Sequence, residues 1–393
     1  MKAYMDGSAR PLRVAIIADL TEEAWPSMDL VAEMLYENLR AEPVGASLLR
    51  PTMVRRLSRD GVRRGLRYTV DRFTNRLWDY PRRLARVRDA YDVFHIVDHS
   101  YSQLVHALPP ERTVITCHDL DTFRSILEPD AEPRRWPFRV MTRRILGGFQ
   151  KAARIVCDSE ATRAAVLRRR LVAPERVVVT PLGLHPAFLR DGDAAAERSI
   201  ECLLGNKDGR IELLHVGSVI PRKRIDVLLD VLHEVRRRFP RARLLRVGGP
   251  FTGAQQAQLS RLGLQEAVTV LPSLGWDEVA AVYRRADLVL LTSEREGFGL
   301  PVLEALACGT PVIASDIPAL REVGGTVATY CPVADVDAWT SAALAELKAR
   351  ESTDPALPIE RQARIAHARK FAWADYARRM VDIYRDVLAG SGG

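Results

Sequence analysis

Cysteine is sparse in this chain and scattered. Five thiols, at positions 117, 157, 202, 308 and 331, have no metal-ligand spacing. An odd number spread over 393 residues fits reduced, mostly buried side chains and excludes a disulfide framework. Long apolar runs are missing too: none approaches the roughly 18 residues of a membrane span. The start, Met1 to Pro11, is too polar for a secretory signal, so a cytoplasmic protein is expected. No His/Cys cluster suggests a metal, and Asp119-Leu120-Asp121 reads as a chance Asp-x-Asp. No nucleic-acid-binding motif accompanies the basic residues.

What remains is an ordinary globular composition, 47% hydrophobic and 27% charged, in a chain long enough for two to three domains. Short β-like runs alternate with helix-like runs throughout, the pattern of parallel sheets covered by helices. Six strands are expected at 13–19, 44–49, 93–97, 113–117, 154–157 and 177–180, and six more at 211–216, 243–247, 268–271, 288–291, 311–314 and 327–330. Two sets of six argue for two Rossmann-like domains. The turn-rich stretch 191–209, with Asp191-Gly192-Asp193, Gly205-Asn206 and Asp208-Gly209, reads as the linker. The expected organisation is a first domain 1–190, the linker 191–209, a second domain 210–370 and a closing helix 371–393. Tyr376, Met380, Ile383, Tyr384 and Val387 give that helix one apolar face.

The most informative stretch is Glu296-Gly297-Phe298-Gly299-Leu300-Pro301-Val302-Leu303-Glu304. A buried strand precedes it and a short helix follows. Strand, glycine loop and helix N-terminus together bind anions, because free backbone N–H groups and the helix dipole converge on one spot. Pro301 suits the helix start, where its missing N–H is no loss. Carboxylates on either side of a phosphate repel it but accept hydrogen bonds from hydroxyls. The ligand this pattern describes is a phosphate flanked by polyols, a nucleotide sugar.

The Glu296 to Glu304 segment resembles the Glu-x7-Glu signature of GT4-type retaining glycosyltransferases with the GT-B fold. The resemblance runs on through Thr310-Pro311-Val312-Ile313-Ala314-Ser315 to Pro318 and Gly324-Gly325. It implies two Rossmann-like domains facing each other across a cleft, with the C-terminal helix crossing back to the first. It implies metal-independent transfer of a hexosyl unit, with retention, from a nucleoside diphosphate sugar to a glycan or lipid-linked acceptor, in the setting of bacterial polysaccharide assembly. The sugar nucleotide is a substrate, and no cofactor is expected. Carried over by position, Glu296 and His118 are the catalytic candidates. Arg222, Lys223, Gly217, Phe298, Gly299 and Leu300 would hold the donor diphosphate, and Glu304 the ribose. Gly248, Gly249, Leu271 and Leu274 would line the donor pocket. Trp25, His99 and Ser159 fall on the acceptor side, where Ser159 also suits a helix N-cap. One departure is plain: relatives carry Gly-Gly after the first strand, whereas Asp19 to Met28 here contains no glycine. An epimerase or phosphorylase of the same fold, or a non-catalytic nucleotide-sugar-binding protein, would share the donor loops.

Charge is uneven. Between Arg50 and Arg88 thirteen Arg face only Asp60, Asp71 and Asp79, an excess larger than the chain's formal net charge of +8. Apolar residues, Val62, Leu66, Phe73 and Trp78 among them, are interleaved. A second basic and aromatic stretch follows at Arg134 to Arg139. Such surfaces suit anionic lipid headgroups or a pyrophosphate-linked acceptor. The expected partners are therefore the donor, the acceptor and an anionic membrane surface, with peripheral attachment to the inner face and no nucleic acid.

Overall fold

A computed structural model of the chain describes residues 10–61, 65–351 and 356–390. The first nine residues of the polar start, and Val62 to Arg64 of the basic stretch, lie outside the described residues. Among the described residues, twelve strands form two six-stranded sheets in which every pairing is parallel. The first holds β1 (Leu12–Ile17), β2 (Val44–Leu49), β3 (Val93–Ile96), β4 (Thr113–Cys117), β5 (Arg154–Cys157) and β6 (Val177–Val179), in the order β2-β1-β3-β4-β5-β6. The second holds β7 (Glu212–Val216), β8 (Arg243–Val247), β9 (Val268–Val270), β10 (Leu288–Leu291), β11 (Val312–Ser315) and β12 (Thr329–Cys331), in the order β12-β11-β10-β7-β8-β9. All twelve strands stand where the alternation of runs predicts them, with ends shifted by a residue or two.

Helices cover these sheets, so central strands are buried on both faces and read as unbroken apolar runs. Val14 to Ile17 and Leu288 to Leu291 are examples, every residue being almost wholly buried. The covering helices are amphipathic. The Ile225–Arg238 helix buries Ile225, Leu228, Leu229, Leu232 and Val235, and ends on Arg236, Arg237 and Arg238, where cations favour the negative end of the helix dipole.

The chain divides into two compact units. One runs to Gly183 and includes everything from Trp373 onward; the other is Leu184–Ala372. The stretch 191–209 is not a plain linker. Asp193 caps a helix, Ala194–Leu204, by accepting from the backbone N–H groups of Ala195 and Ala196, and that helix packs on the Trp276–Arg285 helix of the second unit. Its turn residues are the ends of this helix, which is why the composition looked irregular. The closing helix is Trp373–Gly390. It belongs to the first unit and packs on the Pro26–Leu39 helix, burying Tyr376, Met380 and Tyr384. Tyr384 Oη lies 2.7 Å from His95 Nδ1 and Tyr376 Oη 3.3 Å from Thr116 Oγ1, polar contacts that fix its register on the first sheet. Among the described residues, no helix is long and apolar enough to cross a membrane.

Each sheet has one point where the strand order reverses. In open parallel sheets, ligands bind beyond the carboxyl ends of the strands at such a point. In the first unit it lies between β1 and β3, in the second between β7 and β10.

Candidate functional site

The second unit brings the loops after β7 and β10 together at its switch point. After β7 the chain makes a short 3-10 turn, Pro221–Lys223, then enters the Ile225–Arg238 helix through Arg224 in a left-handed conformation. After β10, residues 292–299 lead into the Leu300–Ala307 helix. The two loops are stitched by backbone. Glu294 N–H donates to the Arg222 carbonyl at 2.8 Å, and Thr292 Oγ1 donates to the Lys223 carbonyl at 2.9 Å.

Glu296 sits at the seam. Its Oε1 accepts from Lys223 Nζ at 2.5 Å and from Ser293 Oγ at 2.6 Å; its Oε2 accepts from Arg222 Nη1 at 2.9 Å. Burial alone would raise this carboxyl, but Lys223 and Arg222 outweigh it and hold it down at about 2. Glu296 is thus a permanently ionised carboxylate. Gly299, at φ 115°, opens the following helix, and a Cβ there would lie 2.5 Å from Leu320 Cδ2. Leu300 is the first helical residue and Pro301 the second, so the amides of 297–300 stand at the positive end of the helix. Phe298 itself turns into the core, edge-on to Phe371 with ring centroids 6.0 Å apart, leaving its amide as its contribution.

Glu304 lies one turn further and is buried. Tyr283 Oη donates to its Oε2 at 2.7 Å. Burial pushes its carboxyl up to about 7, partly offset by that hydrogen bond. Gly217 and Gly248 meet backbone to backbone: a Cβ on Gly248 would stand 1.9 Å from the Gly217 carbonyl oxygen. Gly249 follows at φ 91°. Leu271 is buried and donates its N–H to the Arg246 carbonyl at 2.8 Å, while Leu274 lies in the partly exposed loop before the Trp276–Arg285 helix.

Two residues of this edge escaped the sequence reading. His215 and Arg246 are register partners on β7 and β8, and both are fully buried. The available signal was a polar side chain inside each of two apolar runs, Leu-Leu-His-Val and Leu-Leu-Arg-Val.

The first unit gathers its predicted residues at the ends of β1, β3, β4 and β5. His118 is held on both sides, with Nδ1 2.5 Å from Asp158 Oδ2 and Nε2 2.8 Å from the Val97 carbonyl. Burial would lower this imidazole, but the charge and hydrogen bond of Asp158 raise it to about 10. It is a fixed imidazolium, and both N–H groups are occupied. That leaves none for the hydroxyl contact expected from sequence. Buried His99 has neither ring nitrogen in a hydrogen bond; they lie 3.6 Å from Asp98 Oδ1 and 3.6 Å from Asp119 Oδ1. Asp19, in place of the glycines, is buried beside Asp98, and burial followed by the Asp98 charge pushes its carboxyl well above the usual range. Ser159 caps the Glu160–Arg168 helix, accepting from Thr162 N–H at 3.1 Å. Trp25 is exposed at the start of the Pro26–Leu39 helix, its indole N–H toward Glu23 Oε2 at 3.4 Å.

Much of the basic stretch is internally paired. Arg56 meets Asp79, Arg50 meets Asp29 and Glu33, and Arg72 and Arg76 both reach Glu23. Its apolar residues nevertheless face outward. Leu66 (80% exposed), Val70 and Phe73 recur along one side of the Leu66–Thr74 helix. Trp78 follows with the Arg82 guanidinium 3.5 Å above its ring. Trp136 (75% exposed), Phe138 and Val140 open a second helix, Trp136–Lys151.

Two parallel Rossmann-like units define a protein of the GT-B class. The same fold is seen in a sucrose-phosphate synthase from Thermosynechococcus elongatus, with a TM-score of 0.74 over 96% of this chain and 100% of that one, at 20% identity. The Anabaena protein HepE, solved with UDP and glucose, aligns with a TM-score of 0.70 over 95% of this chain and all of its own, at 15% identity. Residues 203–352 match the family described as glycosyl transferases group 1, and residues 32–188 match glycosyltransferase family 4. The chain belongs to the GT4-type glycosyltransferase family. It is 33% identical over 256 residues to a D-inositol 3-phosphate glycosyltransferase from Segniliparus rotundus, an alignment covering 63% of this chain and 56% of that protein. With the same-named protein of Saccharomonospora viridis it shares 32% over 268 residues, 64% of this chain and 60% of that one. The chain thus spans little more than half the length of these relatives.

Proposed function

We propose that this chain is a retaining glycosyltransferase that moves a hexosyl unit from a nucleoside diphosphate sugar to an acceptor hydroxyl without a metal. The observation that carries the reading is the Lys223–Glu296–Arg222 cluster at the positive end of the Leu300–Ala307 helix. Lys223, Arg222 and the amides of Phe298, Gly299 and Leu300 face the donor diphosphate. Glu304 accepts from the ribose hydroxyls. In the reaction the bond between the anomeric carbon and the phosphate oxygen breaks, and the nucleoside diphosphate leaves with an extra negative charge. Fixed cations that strengthen their hold as that charge grows lower the barrier. The acceptor oxygen bonds to the same face of the anomeric carbon, and its proton passes to the leaving phosphate. Glu296, ionised at every working pH, stabilises positive charge developing on the sugar.

The acceptor is read from the first unit. Buried Asp19 and Asp98 at the ends of β1 and β3 offer carboxyl groups that suit hydrogen bonding to a hydroxyl-rich glycan. A glycan or lipid-linked acceptor is the reading these groups support. Exposed Leu66, Val70, Phe73, Trp78 and Trp136 among arginines support work against an anionic membrane surface, on its cytoplasmic side.

The test is titration calorimetry of the purified protein with UDP, GDP and ADP, with and without magnesium. Micromolar binding of one nucleotide, unchanged by magnesium, is the expected result. Absence of binding to all three removes the donor assignment.

A further inference from the structure

Among the described residues, Arg246 is the largest fully buried charged side chain, and its guanidinium meets carbonyl oxygens rather than a carboxylate. It is fully buried on β8. It donates through Nη2 to the Gly217 carbonyl at 2.8 Å and through Nη1 to the Gly249 carbonyl, and its Nε has no partner. Phe251 lies beneath it, 5.1 Å from guanidinium carbon to ring centroid. Burial without a counter-ion is costly enough to bring even an arginine down to about 10. Buried charges ordinarily come with a partner of opposite sign. Here only carbonyl dipoles are in place, and they belong to the two glycine loops that close on each other at the Gly217–Gly248 contact.

The surroundings sharpen the imbalance. His215, the register partner of Arg246, is kept neutral: burial first, then the charges of Arg246 and Lys223, lower it to about 3. Lys223 and Arg222 share the single carboxylate of Glu296. Glu304, pushed up to about 7, carries a partial charge near neutrality. Arg246 therefore adds to the cations of this edge a charge whose neighbours are carbonyl oxygens rather than a carboxylate. The pyrophosphate of a nucleotide sugar, esterified at both ends, would bring one negative charge on each of two adjacent phosphate groups.

We infer that Arg246 is a positioning residue for the donor diphosphate, tying the loops after β7 and β8 together and supplying an unneutralised positive charge that makes the pocket select a pyrophosphate over a single phosphate. The inference rests on the donor reading above. Arg246 touches no reacting atom; it acts through the loop backbone and through the field at the two phosphates.

The experiment compares Arg246→Gln with Arg246→Lys. Gln keeps amide donors for the carbonyls and removes the charge. Lys keeps the charge on a donor of different geometry. For the nucleotide that the wild type binds, the diphosphate and the corresponding monophosphate are titrated against all three proteins, with melting temperatures alongside. In Arg246→Gln the preference for diphosphate over monophosphate is expected to fall by roughly tenfold or more, while Arg246→Lys keeps most of it. A merely structural role would weaken both nucleotides together, in step with the melting temperature, and leave their ratio unchanged; that result overturns the inference. So does a wild-type ratio in Arg246→Gln. A wild type that binds diphosphate no better than monophosphate overturns the inference too. A wild type that binds neither removes the donor reading along with it. A wild-type preference that survives in Arg246→Gln removes this inference alone.

Discussion

Lys223 and Glu296 form an ion pair that joins the loop after β7 to the loop after β10, Nζ to Oε1 at 2.5 Å. The cation proposed for the donor is therefore held by a carboxylate of the same site. An ammonium has three donors, so a phosphate can join the pair without displacing it. Removing the carboxylate charge frees Lys223 and Arg222 for the ligand. Glu296→Gln is expected to bind nucleoside diphosphate as tightly as wild type or tighter, while transfer falls by about a hundredfold or more. Lys223→Met is expected to lose both. Calorimetry and a turnover assay on the same preparations separate the two; weak binding in Glu296→Gln would contradict the arrangement.

Glu304 makes stability depend on pH. Its carboxyl titrates at about 7 in the folded chain against an ordinary 4.5, so the folded state holds that proton more tightly than the unfolded state does. The associated stability is full below 4.5, declines as pH rises toward 7, and is gone above it. Glu304→Gln keeps an acceptor for Tyr283 and cannot ionise. It is expected to be more stable than wild type at pH 8 by roughly 3 kcal/mol, with the gap closing below pH 5. Urea melts at the two pH values read this directly, and a pH-independent difference would count against it.

Gly248 is expected to accept no side chain. At φ 128°, with the Gly217 carbonyl oxygen 1.9 Å from any Cβ, alanine must push the two loops apart. Gly248→Ala should cost about 2–4 kcal/mol and weaken diphosphate binding. Gly249→Ala is the control, since a Cβ there meets nothing within 4 Å and brings only its backbone strain at φ 91°. Equal losses in the two variants would mean that space at Gly248 is not what matters.

The outward apolar residues predict membrane association. The chain should float with vesicles containing anionic lipid at low salt and detach as salt rises. Trp78→Ala combined with Leu66→Ser should reduce flotation several-fold without changing nucleotide affinity. Equal behaviour on neutral and anionic vesicles would remove the electrostatic part of the reading.

Strand positions were legible because a strand buried on both faces has little choice but an unbroken apolar run, as at Leu288 to Leu291. The loops after β7 and β10 were legible as loops because glycine, proline and charged residues stand at fixed spacing from those runs. The stretch 191–209 was misread because a short helix, capped by Asp193 and ended by Gly205, shows the same turn residues as a linker.

The sequence by itself determined two parallel α/β units and a glycine loop that leads from a strand into the helix carrying Glu304, since local periodicity and backbone chemistry set both. Only the tertiary structure decided who meets whom. It paired Glu296 with Lys223 from 73 positions away, occupied both nitrogens of His118, and set Arg246 among carbonyls with no counter-ion. Charge and proton affinity in a buried site depend on neighbours brought together by sheet order, and sheet order is not written in local spacing.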